Sequence, residues 1–349
     1  MPPCQPITII GGGLAGLTLG ISLRQREVPV KIFEAGSYPR HRVCGEFISG
    51  HGRSVLAQLG LLTHLEQAGA VAARTVLFVC GSNRSPIREL ATPALCLARH
   101  ALDALLAEFF QRLGGELLMN SRWTARESRA GVVLAVGRRP PTAEQNPRWF
   151  GLKAHVARSH SVKLEADLEM HLSPNGYIGI NRIGGGEVNV CGLFRAGENQ
   201  RLPESKQDWL RGEPGSLLRE RLQAAEFATD SFCAVAGLQL KPQRAAAKKE
   251  CCVGDALTMT PPITGNGMSM AFESAALAVG PLADYSRGRL NWSQAQRQIA
   301  QNCDTAFARR LAWARGLQWM MLSPVLQGQL GAWLLRSDWL WRLMFSQTR

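Results

Sequence analysis

The sequence predicts an α/β fold with three parts: a Rossmann-like nucleotide-binding domain, a domain built on an antiparallel β-sheet, and C-terminal helices. A strand, a glycine-rich turn, a helix and a second strand follow one another within the first 34 residues. From about residue 150, short runs of alternating apolar and polar residues are separated by Asn-Gly and Gly-Gly pairs, which is typical of antiparallel hairpins. From about Ser293 the chain has helical periodicity and is rich in Trp and Arg.

The first βαβ unit accounts for the nucleotide-binding prediction. Residues 6–10 (PITII) form a buried parallel strand, residues 17–25 a helix packed on a sheet, and residues 28–33 a second strand that ends before Glu34. The turn between the first strand and the helix has the spacing Gly-x-Gly-x-x-Gly. In this position, with an acidic residue after the second strand, the spacing is a strong signal for dinucleotide binding.

Each residue of this motif has a physical task. Gly11 permits the tight turn, Gly13 lets the backbone approach a pyrophosphate, and Gly16 lets the helix lie close to the strand. The helix start presents free N–H groups to the phosphates. Glu34 can accept hydrogen bonds from an adenosine ribose and would repel a 2′-phosphate, so the motif indicates FAD or NAD and not NADP.

The remaining elements are assigned from periodicity and turn residues. We predict helices over 54–70, 99–113, 203–225 and 267–279, strands over 75–80, 86–90 and 232–240, and two C-terminal helices that are interrupted near Ser323. Cys251 to Asp255 is predicted to end a strand in a turn.

The composition limits the classes of partner. The 349 residues are 46% hydrophobic and 19% charged, which indicates a globular protein and excludes a disordered one. Lys and Arg number 40 against 27 Asp and Glu, a net charge of +13. Because the basic residues are scattered and no zinc-finger, RNP-like or basic-zipper pattern is present, nucleic acid is not expected as a partner. Anionic ligands and an anionic membrane surface stay as alternatives.

The nine cysteines are an odd number with irregular spacing and no Cys-x-x-Cys pair, which favours reduced thiols and predicts no metal site. The N-terminus lacks a charged segment and a cleavage site, so a signal peptide is not expected. No apolar run reaches the roughly 18 residues of a spanning helix. These features predict a cytoplasmic protein.

A second motif lies far along the chain, in Gly254-Asp255, Pro261-Pro262 and Gly265-Asn266-Gly267. With the first motif, it resembles the FAD-dependent group A monooxygenase superfamily, which also contains the geranylgeranyl reductases and flavin-dependent halogenases. The resemblance covers about residues 5–285 and implies an FAD-binding domain of the glutathione-reductase type. It implies that Asp255 binds the ribityl chain of FAD and that the helix beginning near Gly267 points its N-terminus at the flavin.

Two further segments extend the resemblance. Residues 40–49 (RHRVCGEFIS) are similar to the Cys-Gly-Glu segment of the geranylgeranyl reductase branch, which passes beside the flavin. Arg99 matches an arginine that lies near the FAD diphosphate in the family. Together the motifs imply these FAD-binding residues: Gly11, Gly13, Leu14, Ala15, Gly16, Glu34, Ala35, Arg42, Cys44, Gly45, Arg99, Gly254, Asp255, Pro262, Gly265, Asn266, Gly267 and Met268.

The chain also departs from the family. Val136 stands where the superfamily has the aspartate of an Asp-Gly pair that serves both FAD and NADPH, so NADH or NADPH is an uncertain electron donor. The strand at Gly176-Tyr177 resembles the floor of the reductases' substrate cavity, but Ile178 or Ile180 replaces the tryptophan common there. Halogenases of this superfamily have a lysine near the tunnel and a Trp-x-Trp-x-Ile-Pro segment; this sequence lacks the segment, which argues against a halogenase. The catalytic candidates are Cys44, Glu46 and Tyr177, with His41, His51 and His155 as further residues facing the flavin.

The predicted FAD domain comprises residues 1–75, 94–140 and 246–285, the antiparallel-sheet substrate domain 76–93 and 141–245, and the Trp/Arg-rich helical region 286–349. The resemblance implies an FAD-dependent oxidoreductase, first of all a monooxygenase that hydroxylates a hydrophobic aromatic or polyketide-type substrate through a flavin C4a-hydroperoxide. The alternatives are reduction of C=C bonds in an isoprenoid or lipid, and a binding protein without redox activity. The C-terminal helices are expected to form either a lid over the cavity or a peripheral membrane contact.

Overall fold

Two β-sheets with flanking helices form the framework of the protein in its computed structural model, which describes residues 4–124, 129–138, 149–157, 162–195, 206–238, 240, 242–323 and 331–348. Among these residues, no helix combines the length and apolar character needed to cross a bilayer. All nine cysteines are free thiols.

The first sheet is parallel and begins with the strand that precedes the glycine-rich turn. Among the described residues it has five strands, in the order β7-β2-β1-β8-β14. Every pairing is parallel, and the central strand is fully buried at Ile7 and Ile9. These strands are β1 (Ile7–Ile10), β2 (Val30–Phe33), β7 (Glu116–Leu118), β8 (Val132–Leu134) and β14 (Cys251–Cys252). The Rossmann-like prediction is confirmed.

The helices on this sheet are α1 (Leu14–Arg24), α4 (Arg99–Arg112) and α7 (Gly267–Ser286). Helix α1 packs against both others and is buried along almost its whole length, which explains its uniformly apolar sequence. Helix α7 extends to Ser286, beyond the predicted end at residue 279, because Pro281 is accommodated inside it.

The second sheet is almost entirely antiparallel, as predicted. Its described strands pair in the order β13-β9-β12-β11-β10-β4-β6-β3, with β5 beside β4 and one parallel pair between β10 and β4. The strands are β3 (Phe47–Ile48), β4 (Val71–Cys80), β5 (Asn83–Arg84), β6 (Arg88–Cys96), β9 (Trp149–Val156), β10 (Leu168–Ser173), β11 (Gly176–Arg182), β12 (Val188–Arg195) and β13 (Cys233–Ala236). Strands β4 and β6 are longer than predicted, and β13 is shorter.

The strand period of two divides this sheet into two faces. Leu152, Ala154 and Val156 of β9 face a core under the short helices α5 (Lys206–Leu210) and α6 (Leu217–Leu222). The other face turns toward the first domain and the C-terminal helices.

Two helix predictions were wrong because glycines interrupt the periodic pattern. The stretch 54–70 forms α2 (His51–Gln58) and α3 (Leu62–Gln67), separated at Gly60, whose φ of +73° does not fit a helix. The stretch 203–225 contains α5 and α6, separated by Gly212 and Gly215, which also have positive φ; residues 203–205 lie outside the described part of the chain.

The C-terminal region folds back over the second sheet. Helix α8 (Trp292–Met321) starts at a capping box between Asn291 and Gln294 and ends just before Ser323, near the predicted interruption. Two shorter helices follow, α9 (Gly331–Arg336) and α10 (Asp338–Thr348), where one was predicted. Helix α10 packs against α8.

Gly16→Ala is expected to destabilise the protein, because a Cβ at Gly16 would lie 2.0 Å from the carbonyl oxygen of Gly11. Helix α1 would have to move off the sheet, and we expect the free energy of unfolding to fall by about 2 kcal/mol in urea denaturation. The matched control is Gly13→Ala, since a Cβ there meets no atom within 4 Å. Equal stability of Gly16→Ala and wild type would contradict this close packing.

Candidate functional site

A cleft opens at the carboxyl ends of the parallel strands, where ligands bind in sheets of this kind. The turn at Gly11 follows β1, Ala135 follows β8, and the turn at Gly254 follows β14. Gly11 has a φ of +109°, and a Cβ there would lie 2.4 Å from the Ala135 oxygen. A Cβ on Gly254 would lie 2.8 Å from that of Ala15. The two motifs predicted from opposite ends of the sequence therefore meet.

The start of helix α1 is open toward this cleft. Gly13 is its N-cap, no side chain caps the helix, and the first turn has no acidic residue. The amides of Leu14, Ala15 and Gly16 have no acceptor within the helix, because the first turn never does. An open cradle with several free N–H groups fits a diphosphate.

Arginines supply positive charge beside this cradle. Arg99 donates two hydrogen bonds of 3.0 Å to the buried Asp103, and both residues lie on helix α4. Arg42 Nε lies 3.5 Å from Asp103 Oδ2 and has no hydrogen-bond partner among the described residues. Because the Arg42 side chain is 37% exposed, its guanidinium can also reach an anionic ligand in the cleft.

Asp255 lies on the wall of the same cleft, with a side chain that solvent can reach. Although the residue is exposed, the protein packed around the carboxyl group disfavours its charged form and raises the pKa of Asp255, against the opposing charges of Arg138 and Arg99. Arg138 was not among the predicted site residues, although it comes two residues after Val136, which is itself exposed at this edge. The sequence does contain a signal for Arg138, because it follows β8 at the place where the superfamily has its Asp-Gly pair.

Glu34 is buried and already bound by the protein. Its carboxylate accepts hydrogen bonds from the amides of Gly12 and Gly36, both at 2.8 Å, and from Arg40 at 2.6 Å. Burial opposes ionisation, but these partners lower the pKa of Glu34 below its usual value. A carboxylate offers about four acceptor positions, so one is left for a ribose hydroxyl. The neighbouring Ala35 is exposed.

The two segments expected beside the flavin lie against each other. Cys44 Sγ is 3.3 Å from Met268 Sδ, in the first turn of α7. The ring of Phe47 lies where a Cβ on Gly265 would be, at 2.3 Å, and Gly265 has a φ of +64°. Asn266 precedes α7 and donates a hydrogen bond to the backbone oxygen of Thr348, at the end of α10. The C-terminal helix thus reaches the predicted flavin edge.

An apolar cavity of about 140 Å³ adjoins this point. The side of the cavity nearest the cleft is formed by Gly45, Phe47, Ile263 and Thr264. The second sheet forms its floor, and the C-terminal helices form its roof. The floor and roof contribute mainly Phe78, Leu172, Met320, Met321, Trp341 and Phe345. The polar residues at its edge are bound within the protein: Arg88 to Asp338, Glu169 to Arg221, and Asn181 to Asn189.

A buried ionic cluster lies on the other side of the segment that contains Cys44. Glu46 and Lys153 are fully buried, with 3.1 Å between Oε1 and Nζ. Glu46 also binds His155 Nε2 at 2.7 Å and accepts a hydrogen bond from the Arg99 amide. Burial opposes ionisation of Glu46, but His155 and Lys153 lower its pKa. Sequence analysis missed Lys153, because a lysine in an alternating strand is predicted to face solvent.

His41 completes this cluster, with Nδ1 at 3.1 Å from Lys153 Nζ. Burial and the charge of Lys153 lower the pKa of His41 to about 4, so its imidazole is neutral at pH 7 and can accept a hydrogen bond from the lysine. The ring of His100 lies 4.3 Å from that of His41. His51, the other predicted histidine, is exposed at the start of α2.

Cys44 and Tyr177, two of the predicted catalytic candidates, lie in surroundings that disfavour their ionised forms. Burial raises the pKa of Cys44, which argues against a reactive thiolate. Burial also raises the pKa of Tyr177, whose ring packs in the apolar cluster with Leu172 and Ile263 beside the cavity. Both side chains are therefore suited to packing rather than proton transfer at neutral pH.

Comparison with known proteins shows the fold. No protein-family model and no curated protein matches the chain. Among solved structures, the flavin-dependent brominase Bmp2 has a TM-score of 0.76 at 17% identity, covering 99% of this chain and 93% of its own. PqsL, a probable FAD-dependent monooxygenase from Pseudomonas aeruginosa, has a TM-score of 0.71 at 17% identity, covering 94% and 100%. PqsL has also been solved with 2-aminobenzoylacetate.

A flavoprotein/dehydrogenase from Cytophaga hutchinsonii has a TM-score of 0.73 at 15% identity, covering 98% of this chain and 99% of its own. The chain therefore has the fold seen in flavin-dependent monooxygenases and halogenases, which confirms the predicted fold class. The different reactions in these names mean that the fold does not determine the chemistry.

Glu46→Gln is expected to lower the free energy of unfolding by about 3 kcal/mol, because it leaves the buried Lys153 charge without its carboxylate. Adding Lys153→Met should restore part of the loss, since no buried charge then lacks a partner. Glu108→Gln, in the exposed pair with Arg112, is the control and should change stability by less than about 0.5 kcal/mol. Urea denaturation measures all three, and a Glu46→Gln variant as stable as the control would contradict the cluster's role.

Proposed function

We propose that the protein is an FAD-dependent oxidoreductase and that its reaction is the hydroxylation of a small hydrophobic aromatic substrate. The observation that carries the proposal is the position of the apolar cavity: Ile263 and Thr264 form part of its wall directly before Gly265 and the start of α7. A substrate in this cavity would lie against the edge expected for the flavin. The likeness to PqsL supports the reaction class.

The cleft residues fit FAD. The α1 amides and Arg42 would hold the diphosphate, Glu34 the adenosine ribose, and Asp255 the ribityl chain. When bound, FAD supplies electron transfer and the activation of oxygen. The start of α7 has no acidic residue in its first turn, so its partial positive charge would stabilise negative charge at the flavin edge.

The size and lining of the cavity support the substrate class. An apolar cavity of about 150 Å³ holds benzene in another protein, so about 140 Å³ suits one aromatic ring. Few convergent polar groups line it, which favours recognition by shape and apolar contact. PqsL has been solved with 2-aminobenzoylacetate, an aromatic compound, which supports an aromatic substrate for this chain.

Two other flavin reactions compete with hydroxylation. Halogenation is supported by the likeness to a brominase. However, Lys153 binds Glu46 and His41 and is not among the residues that line the cavity, which favours hydroxylation. Reduction of C=C bonds is supported by Cys44-Gly45-Glu46, which lies beside the start of α7.

Gly13→Val is expected to weaken FAD binding by at least about tenfold, equivalent to about 1.4 kcal/mol, because the side chain would occupy the space of the diphosphate. The apoprotein should fold normally, since nothing lies within 4 Å of the added Cβ. Gly316→Val, at an exposed helical glycine with the same open surroundings, is the matched control. Wild-type FAD affinity of Gly13→Val in a fluorescence titration would contradict the proposed cofactor site.

The reaction is tested with the FAD-loaded protein, NADH or NADPH, oxygen and a panel of alkylphenols, analysed by mass spectrometry. We expect a product that is heavier than the phenol by one oxygen atom, and with ¹⁸O₂ this added atom should be ¹⁸O. Gly179→Val should lower turnover and leave FAD binding unchanged, because Gly179 lines the cavity where a Cβ has room. Bromophenol formation in added bromide would indicate a halogenase. A protein that binds FAD but reacts with none of these would favour the reductase or the binding protein.

A further inference from the structure

We propose that the outer face of the C-terminal helices is a docking surface for anionic phospholipid membranes. This face, called here the tail surface, consists of the exposed residues Trp319, Trp333, Trp339, Arg315, Arg336 and Arg342, which lie on the sides of their helices opposite the cavity-lining residues. The proposal concerns binding alone and does not rest on the proposed function.

The three helices α8, α9 and α10 present different chemistry on their two sides. Their inner residues, among them Met320, Leu335 and Phe345, line the apolar cavity. Because all three helices line one cavity with their inner sides, their outer sides together form the surface above it. On α10, Trp339 and Arg342 are three residues apart and exposed, whereas Trp341 and Phe345 face inward.

The exposure of tryptophan on this surface is unusual. Trp319, Trp333 and Trp339 are 72%, 62% and 71% exposed, whereas Trp209 and Trp292 pack against hydrophobic cores elsewhere. Large aromatic side chains grouped on one surface mark an interaction site. Tryptophan, with an apolar ring and an N–H donor, is the residue most typical of the membrane–water interface.

The charge of the tail surface selects anionic lipid. Between Thr305 and Thr348 the sequence has five arginines and a single acidic residue, Asp338. Arg310 is buried and paired with Glu273, and the other four arginines are exposed. Asp338 is paired with Arg88 at 3.0 Å, so it does not neutralise the outer arginines. Arginines beside an anionic leaflet strengthen binding, each by electrostatic attraction to the headgroups.

A second copy of the chain fits this surface poorly. Each copy has a net charge of +13, and the tail surface itself is basic, so two such surfaces would repel each other. Exposed tryptophans interspersed with arginines are instead suited to the membrane–water interface, where indole rings lie at headgroup level and arginines meet anionic headgroups.

Contacts with the rest of the protein hold helix α10 at its start and at its end. Arg88 binds Asp338 and the Leu335 oxygen at 2.7 Å, and its guanidinium lies 5.5 Å from the Trp341 ring centre. At the far end, Asn266 binds the Thr348 oxygen. Docking would therefore bring a bilayer against the roof of the apolar cavity.

The test is co-sedimentation of the full chain, with and without added FAD, with vesicles of phosphatidylcholine that contain or lack phosphatidylglycerol. We expect binding to the mixed vesicles, with a blue shift of tryptophan fluorescence, and little binding to phosphatidylcholine alone. The variant Trp319→Ala/Trp333→Ala/Trp339→Ala should bind at least about tenfold more weakly. All three side chains are exposed, so the variant should retain the wild-type melting temperature and FAD content.

The charge contribution is tested with Arg315→Gln/Arg336→Gln/Arg342→Gln against Arg26→Gln/Arg112→Gln/Arg122→Gln, which removes the same charge from exposed positions elsewhere. The first set should weaken binding by about tenfold and the second by much less. Equal loss in both sets would mean that net charge alone attracts the chain and would overturn the proposal. Absence of binding to mixed vesicles would also overturn it, as would a dimer in sedimentation velocity that the tryptophan variant abolishes.

Discussion

The buried carboxylate of Glu46 is the interaction on which the arrangement of the two sheets depends. It accepts a hydrogen bond from the Arg99 amide at the start of α4, on the first domain, and binds Lys153 and His155 of β9, on the second sheet. Glu46 adopts a φ of +55°, which is uncommon for a residue with a side chain, and its surroundings enforce it. The same backbone segment presents Gly45 and Phe47 to the cavity, so the domain contact and the cavity wall share one constraint.

The interior face of the second sheet is divided into a polar part and an apolar part. Beside β9, Lys153, His155 and Glu46 satisfy one another's hydrogen-bonding needs, which makes their burial tolerable. Under the C-terminal helices, Phe78 and Leu172 contribute to the lining of an apolar cavity. Glu46, Lys153 and His155 therefore do not line the cavity.

The C-terminal helices have two tasks in this interpretation. Their inner sides close the cavity, and their outer sides carry the exposed tryptophans and arginines. The predicted alternatives of a lid and a membrane contact are therefore compatible, since each uses a different side of the same helices.

The sequence by itself determined the parallel βαβ unit with its glycine-rich turn and the antiparallel sheet, because glycine spacing and strand alternation are local properties. Only the tertiary structure decided that Lys153 is buried, that Arg138 joins the cleft and that Thr348 reaches Asn266. These depend on contacts between residues far apart in the chain. A side chain's burial and charge partners follow from what packs against it, which no local pattern contains.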